Sequence, residues 1–187
     1  MISVSRSIKP YINKRKRKST VILHFCHLIC LLDCAEGTTG QIRHFYGDQS
    51  DEILSHIRFV YISHMHADHL GGLYSLINQR RQAFEKLGHK YEKLILLCPN
   101  KYVDVGRKQW NYFSNEELFD NDVEIIFNRT LTNGDSNIFK SIGLDKIQTV
   151  LVEHIYDAHA LVLKHIDGWS IAFSGDCKQS NDFIQAG

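Results

Sequence analysis

Apolar and polar positions alternate along this chain in blocks of two periods. Short runs rich in β-branched and aliphatic residues, at Val21 to Phe25, Ile29 to Asp33, Phe59 to Ile62, Leu94 to Cys98 and Val123 to Phe127, read as strands. Between them lie segments of helical period. In "GGLYSLINQRRQAFEKLG", Leu73, Leu76, Ile77 and Phe84 recur on one side, charges occupy the other, and Gly88 is a stop signal. "IQTVLVEH", "ALVLKH" and "WSIAFSGD" predict three further strands, each followed by a polar or glycine-containing break, and "SNDFIQAG" predicts a short closing helix. Strands alternating with helices make a layered α/β fold.

Composition narrows this only slightly. With 187 residues, 43% of them apolar and 23% charged, there is enough material for one sizeable core. The net charge of +1 conceals an asymmetry, because residues 1–20 hold seven Lys or Arg and no acid, leaving 15 of the 22 basic residues against all 21 acids afterwards. We therefore divide the chain into a basic, disordered tail at 1–20 and a folded domain at 21–187. "KRKRK" from Lys14 to Lys18 reads as a nuclear address or a phosphate-binding arm, and the acid-free segment before it as organelle targeting, which gives an expected location in the nucleus, the mitochondrion or both. The apolar stretch "VILHFCHLICLL" is too short to span a bilayer, so no membrane association is expected. Five cysteines without a pairing pattern suit a reducing compartment. Cys26, Cys30 and Cys34, with His24 and His27, suggest a second metal site by residue type, but on a strand four-residue spacing places the cysteines on one face as small apolar fillers.

The chemistry concentrates in "SHMHADH", where His64, His66, Asp68 and His69 fall within six positions between a strand and a helix. Composition alone gives roughly 0.003 expected matches to His-x-His-x-Asp-His in a chain of this make-up, so coincidence is a poor explanation. Imidazole nitrogen and carboxylate oxygen suit zinc best, with manganese and iron also admissible. Six residues cannot complete two metal shells, and other strand ends must contribute. His154 closes "TVLVEH", and Asp176 closes "IAFSGD", with Gly175 permitting close backbone approach.

These motifs, "SHMHADH", "VEH" and "SGDC" in that order, resemble the successive metal motifs of the metallo-β-lactamase superfamily. Within it, "LDCAEGTTGQIRHFYGD", "ISHMHADHLGGL", "LINQRR" and "GWSIAFSGD" are similar to the long form of tRNase Z, an endonuclease that trims tRNA 3′ trailers. Short forms carry a flexible arm between the third histidine and the bridging aspartate, whereas His154 and Asp176 are 22 positions apart. The resemblance thus implies the carboxyl half of a long form, an αββα sandwich truncated at its carboxyl end, with precursor tRNA as substrate and an amino-terminal half as partner.

It also implies that His64, His66 and His154 hold one zinc, that Asp68 and His69 hold a second, and that Asp176 bridges them. Asp68 would be catalytic, orienting or deprotonating the attacking water, and Asp33, Glu36 and Gly37 would support the histidine loop or serve only as turn and cap residues. The family places a further ligand of the second zinc and a proton-donating histidine downstream of the bridging aspartate, and neither motif occurs after Asp176 here. Ala35 and Cys177 stand where glycine and threonine are usual, and "YINKRKRKSTV" stands where a Pro-x-Lys-x-Arg-Asn-type segment is expected. Two alternatives follow: a non-catalytic zinc-binding fragment or interaction module, and another hydrolase of the fold such as a glyoxalase-type thioesterase, against which "LDCAEGT" and "LINQRR" argue.

Overall fold

The computed structural model describes residues 11–12, 20–25, 28–114, 121–133 and 137–187. The basic run from Lys14 to Lys18, together with Cys26 and His27, lies outside them. Six strands form the first sheet in sequential order: β1 (Tyr11–Ile12), β2 (Val21–Phe25), β3 (Leu28–Leu32), β4 (Ile57–Tyr61), β5 (Leu94–Cys98) and β6 (Val123–Phe127). The first three pair antiparallel, whereas β3 to β6 run parallel and all point their carboxyl ends to one edge. A second, antiparallel sheet contains β7 (Leu144–Leu151), β8 (His159–His165) and β9 (Ser170–Phe173).

Alternation on the parallel strands builds two cores. Ile29, Leu31, Val60, Leu94, Leu96 and Cys98 face Ile42, Leu54, Leu73, Leu76, Ile77 and Ala83 from α1 (Thr38–Tyr46), α2 (Ser50–Ser55) and α4 (Leu73–Leu87). The opposite faces carry Cys30, Leu32, Phe59, Tyr61, Ile95 and Leu97, which pack on Leu144, Ile147, Leu161 and Leu163 of the second sheet. Burial on both faces explains why these strands read as continuous apolar runs rather than as clean alternations. Phe183 of the closing helix, Asn181–Ala186, covers the outer side at Val152, Ala158 and Ala160. The layers run helix, sheet, sheet, helix.

The long helix α4 carries the "QRR" triplet, and each residue anchors it differently. Gln79 donates to the Thr39 and Ser75 hydroxyls, Arg80 is fully buried with its Nε donating to the Ile57 carbonyl at 2.7 Å, and Arg81 grips Asp122 with two hydrogen bonds of 3.0 and 2.5 Å. The Arg80 guanidinium lies 4.8 Å from the Phe84 ring centroid and 5.1 Å from that of Tyr91, so cation–π contact accompanies its burial.

One sequence expectation fails here. Cys30 and Cys34 do not share a face: Cys30 sits between the sheets, whereas Cys34 sits on the helical side. Strand β3 ends at Leu32, and Asp33 adopts a left-handed φ of 60°, which inverts the alternation just before Cys34. Both cysteines are buried and free, burial pushes their thiols up, Cys34 to about 12, and on opposite sides of the sheet they do not form a ligand pair.

Behind the histidine loop, the chain passes over Ala35 too closely for a side chain. A Cβ on Gly72 would lie 2.1 Å from the Ala35 carbonyl oxygen, although Gly72 itself has an ordinary φ of −88°. In α1, by contrast, a Cβ on Gly40 would meet nothing within 4 Å. Gly72→Ala is therefore expected to destabilise the protein by about 1–3 kcal/mol through overpacking against immobile backbone, a fall of roughly 2–12 °C in melting temperature. Gly40→Ala should gain about 0.4–1 kcal/mol by restricting the unfolded chain. Thermal melts of the two variants check this, and equal melting temperatures would refute the close-approach argument.

Candidate metal centre

Four elements deliver the site. The chain leaves β4 at Tyr61, crosses Ser63 to His66, and enters the short helix α3 (Ala67–Leu70) with Asp68 and His69 in its single turn. His154 and Asp176 do not close their strands as the sequence reading had it. Strands β7 and β9 end at Leu151 and Phe173, and each residue lies three positions further on, in a loop. The Val152 N–H to Ala158 carbonyl bond of 3.0 Å closes the first loop, and Gly175, at φ 56°, lets the second pass against Ser63. A Cβ there would fall 2.8 Å from that of Ser63, so this close approach does require glycine. Lys178 ties the two loops together, its backbone N–H reaching the Glu153 carbonyl at 3.1 Å and its ammonium pairing with the Glu153 carboxylate.

The loops bring together two groups of coordinating atoms, His64 with His66 and His154, and His64 with His69 and Asp176, each within 4.8 Å of one another. His64 Nε2 and His154 Nε2 approach His66 Nδ1 at 3.0 and 3.2 Å. Asp176 Oδ2 lies 3.4 Å from His69 Nε2, and Asp68 Oδ2 lies 3.7 Å from the same nitrogen. Asp68 and Asp176 are more than half exposed, while His64 and His69 are buried.

A buried carboxylate orders the histidines. Asp33 accepts the Ser63 N–H on Oδ1 at 2.7 Å, and on Oδ2 it accepts the Ser63 hydroxyl at 2.9 Å and His69 Nδ1–H at 2.7 Å. Because the Ser63 hydroxyl spends its one proton on Asp33, it accepts from His64 Nδ1 at 2.9 Å. Both His64 and His69 are thereby held as Nδ1–H tautomers, with Nε2 turned toward His66 and Asp176 respectively. Of the other two supporting residues read from the sequence, Gly37 takes a left-handed φ of 79° at the head of α1, and Glu36 is exposed there.

This donor set fits a cation. Three imidazole nitrogens meet at His66 Nδ1, and one proton can serve only one of the two contacts, so a lone pair faces a lone pair. Burial first, and then the neighbouring His69, His154 and His66, hold His64 down at about 4, so at neutral pH it has no proton to lose on coordination. For His69, burial opposes charging, but the hydrogen bond and charge of Asp33, followed by Asp176 and Asp68, outweigh it and raise its pKa. Burial raises Asp33 itself, against the hydrogen bonds from His69 and Ser63.

The remaining histidines near β8 point elsewhere. His159 is buried with Nδ1 3.0 Å from the Asp157 carbonyl, and His165, at the opposite end of the strand, stacks on Trp169 with ring centroids 4.6 Å apart. Asp157 and Ser63, which build the frame of the site, were not singled out in the sequence. Ser63 adjoins the histidine motif and Asp157 follows His154 by three, so adjacency was the one available signal.

Two outcomes are expected. Asp33→Asn keeps the shape but removes the charge that orients His69 and Ser63, and should weaken zinc affinity about 10- to 100-fold, measured by competition with a chromophoric chelator. In the metal-free protein, the depressed His64 pKa means that the unfolded chain binds a proton the native state refuses. Stability from this group is therefore present above about pH 6.5 and lost as pH falls toward about 4. Urea unfolding across that range should show the decline, and His64→Gln should flatten it.

Comparison with known proteins places this arrangement. The family model described as "Anti-Pycsar protein Apyc1" matches residues 11–186. "Zinc phosphodiesterase ELAC protein 2" of Homo sapiens is 33% identical over 168 residues, covering 84% of this chain and 20% of that protein. "Ribonuclease Z 1" of Schizosaccharomyces pombe is 30% identical over 160 residues, covering 82% and 19%. The chain thus spans about a fifth of the length of the curated relatives it matches. Among solved structures, a long form RNase Z from yeast superposes with a TM-score of 0.72 at 16% identity, over 86% of this chain and 27% of that one. The metallo-β-lactamase fold protein YhfI from Bacillus subtilis gives 0.65 at 14%, over 97% and 66%. These matches bear out both the metallo-β-lactamase fold and the resemblance to ribonuclease Z. A helix, sheet, sheet, helix sandwich with a histidine cluster at the carboxyl edge of its parallel strands, matched along nearly its whole length, belongs to the Anti-Pycsar protein Apyc1 family.

Proposed function

We propose that this chain is the metal-binding part of a zinc-dependent phosphodiesterase that releases the 3′ trailer of precursor tRNA and leaves a 3′-hydroxyl on the tRNA. The observation that carries the reading is the meeting of His64, His66 and His154 nitrogens beside a second group of His64, His69 and Asp176. In support stand relatives named zinc phosphodiesterase and ribonuclease Z.

In this reading His64, His66 and His154 would hold one zinc, and Asp68, His69 and Asp176 would serve a second. Zinc, when bound, supplies Lewis acidity and lowers the pKa of water toward neutrality. The protein groups do the rest. Asp33 and Ser63 fix the imidazoles before substrate arrives, so little reorganisation is needed. Asp68, its carboxylate more than half exposed beside His69, orients the attacking water and takes its proton. The water attacks in line with the departing 3′ oxygen of the tRNA nucleotide. That oxygen needs a proton, and neither His159 nor His165 faces the cluster. The amino-terminal half of a long form, and residence in the nucleus or mitochondrion, belong to the same proposal.

The test is trailer release from end-labelled precursor tRNA, with zinc measured on the same sample. We expect about one tightly held zinc per chain and slow, Asp68-dependent cleavage, since lack of a placed proton donor costs about 10²- to 10⁴-fold. Joining the chain to the flanking segments of its relatives should restore the rate. Zinc binding with no Asp68-dependent cleavage in either form would favour a non-catalytic zinc-binding module.

A further inference from the structure

Strands β4, β5 and β6 are parallel, so the segments leaving their carboxyl ends share one edge of the sheet. Ser63 and His64 leave β4 there, Asn100 and Lys101 leave β5, and Asn128 and Arg129 leave β6. The loop from Val152 to Ala158 that carries His154 is fastened across all three. His159 N–H, just beyond the loop, reaches the Ser63 carbonyl at 3.0 Å, and the edge itself is tied by Asn128 Nδ2, which reaches the Ile62 carbonyl at 3.0 Å. Asp157, almost fully buried and in a left-handed φ of 65°, accepts the Asn100 N–H at 3.0 Å and Arg129 Nε–H at 2.6 Å. A non-glycine residue held at positive φ costs energy, and here two hydrogen bonds from separate strand ends maintain it.

The consequence falls on the residue before. With Asp157 locked inward, the Tyr156 side chain is displayed outward, 70% exposed, two positions from His154. Arg129 Cζ lies 5.1 Å and Lys101 Nζ 5.8 Å from its ring centroid. An aromatic ring held on a braced loop, flanked by two cations and bordering a metal cluster, has the two features that unpaired nucleotides require. The ring stays largely exposed although both cations lie over it, so a base can stack on the surface they leave uncovered while the cations meet the adjoining phosphates. Arg129 is held in place by Asp157, which takes its Nε–H, and by a hydrogen bond to the Tyr156 side chain, and its remaining donors can meet a phosphate. Lys101 is a compact point charge at the start of the helix Lys101–Ser114.

We infer that Tyr156, Arg129 and Lys101 form a stacking platform that holds an unpaired nucleotide of a single-stranded RNA segment next to the metal cluster. The inference rests on the proposed phosphodiesterase reading for its choice of RNA. It adds to that reading a surface that sets the strand's position and favours unpaired over duplex substrate, since a base stacked within a helix offers no free face.

Fluorescence anisotropy of the full chain with a fluorescein-labelled oligouridylate tests the inference without requiring cleavage. The basic segment at 1–20 is common to all variants, so differences between them report the platform. Tyr156→Ala should weaken binding roughly 5- to 150-fold, the range for loss of one base–aromatic stack. Tyr156→Phe keeps the ring and should bind as the wild type does. Lys101→Ala should reduce the slope of log affinity against log salt by about 0.7, the value for one phosphate contact on a single strand. Zinc content should be the same in all four proteins. Undiminished binding by Tyr156→Ala, equal losses in the Ala and Phe variants, or transfer of the effect to an equimolar duplex competitor would overturn the platform. Loss of trailer cleavage in the wild type with the anisotropy pattern intact would count against the proposed activity and leave the platform standing.

Discussion

The candidate metal centre depends on one buried carboxylate. Asp33 stands at the end of β3 with a left-handed backbone, accepts three hydrogen bonds, and through them holds both the Ser63 to His66 loop and the His69 helical turn. Burying a carboxylate without partners would cost several kcal/mol. With its partners in place, the same burial makes each hydrogen bond strong and directional. Two backbone bonds complete the joint: Asp33 N–H reaches the Tyr61 carbonyl and Cys34 N–H the His69 carbonyl, both at 2.7 Å. The positive φ that breaks the β3 alternation is thus the device that turns a strand end into a support for two coordinating histidines.

Around that joint the fold arranges rigid supports at graded distance from the chemistry. The parallel strands are sealed on both faces, so their carboxyl ends form a fixed edge. On the loops leaving that edge, polar side chains replace apolar ones and carry the site. Asp157 repeats the logic of Asp33 on the far side, with a buried carboxylate at positive φ that binds a separate loop to the edge. Strain at two aspartates is offset by hydrogen bonds from several elements, and both strained residues lie beside the histidine cluster.

Electrostatics divide the two histidines that Asp33 organises. His64 is kept neutral by burial and by three neighbouring imidazoles, whereas His69 is drawn toward its charged form by the aspartates around it. A cation at the first position meets an imidazole kept neutral, whereas at the second the surrounding aspartates strengthen the competition of a proton for His69. The chain therefore presents two unlike positions built from adjacent residues.

Much of this was legible in the sequence. The strands of the first sheet, the α4 helix and the histidine motif from His64 to His69 follow from local signals: apolar runs, a helical period, and an improbable density of His and Asp between them. Local chemistry determines such features, because secondary structure and side-chain ligation are properties of short segments. The sequence did not reveal that Cys30 and Cys34 face opposite cores, that His154 and Asp176 stand three residues beyond their strands, or that Asp157 exposes Tyr156 by turning inward. Each depends on a backbone turn whose φ is stabilised by partners distant in the chain: Ser63 and His69 for Asp33, Asn100 and Arg129 for Asp157. The sequence by itself determined which groups were available for coordination. Only the packing of two sheets decided where they point, because positive φ values are held there by long-range hydrogen bonds that no local window contains.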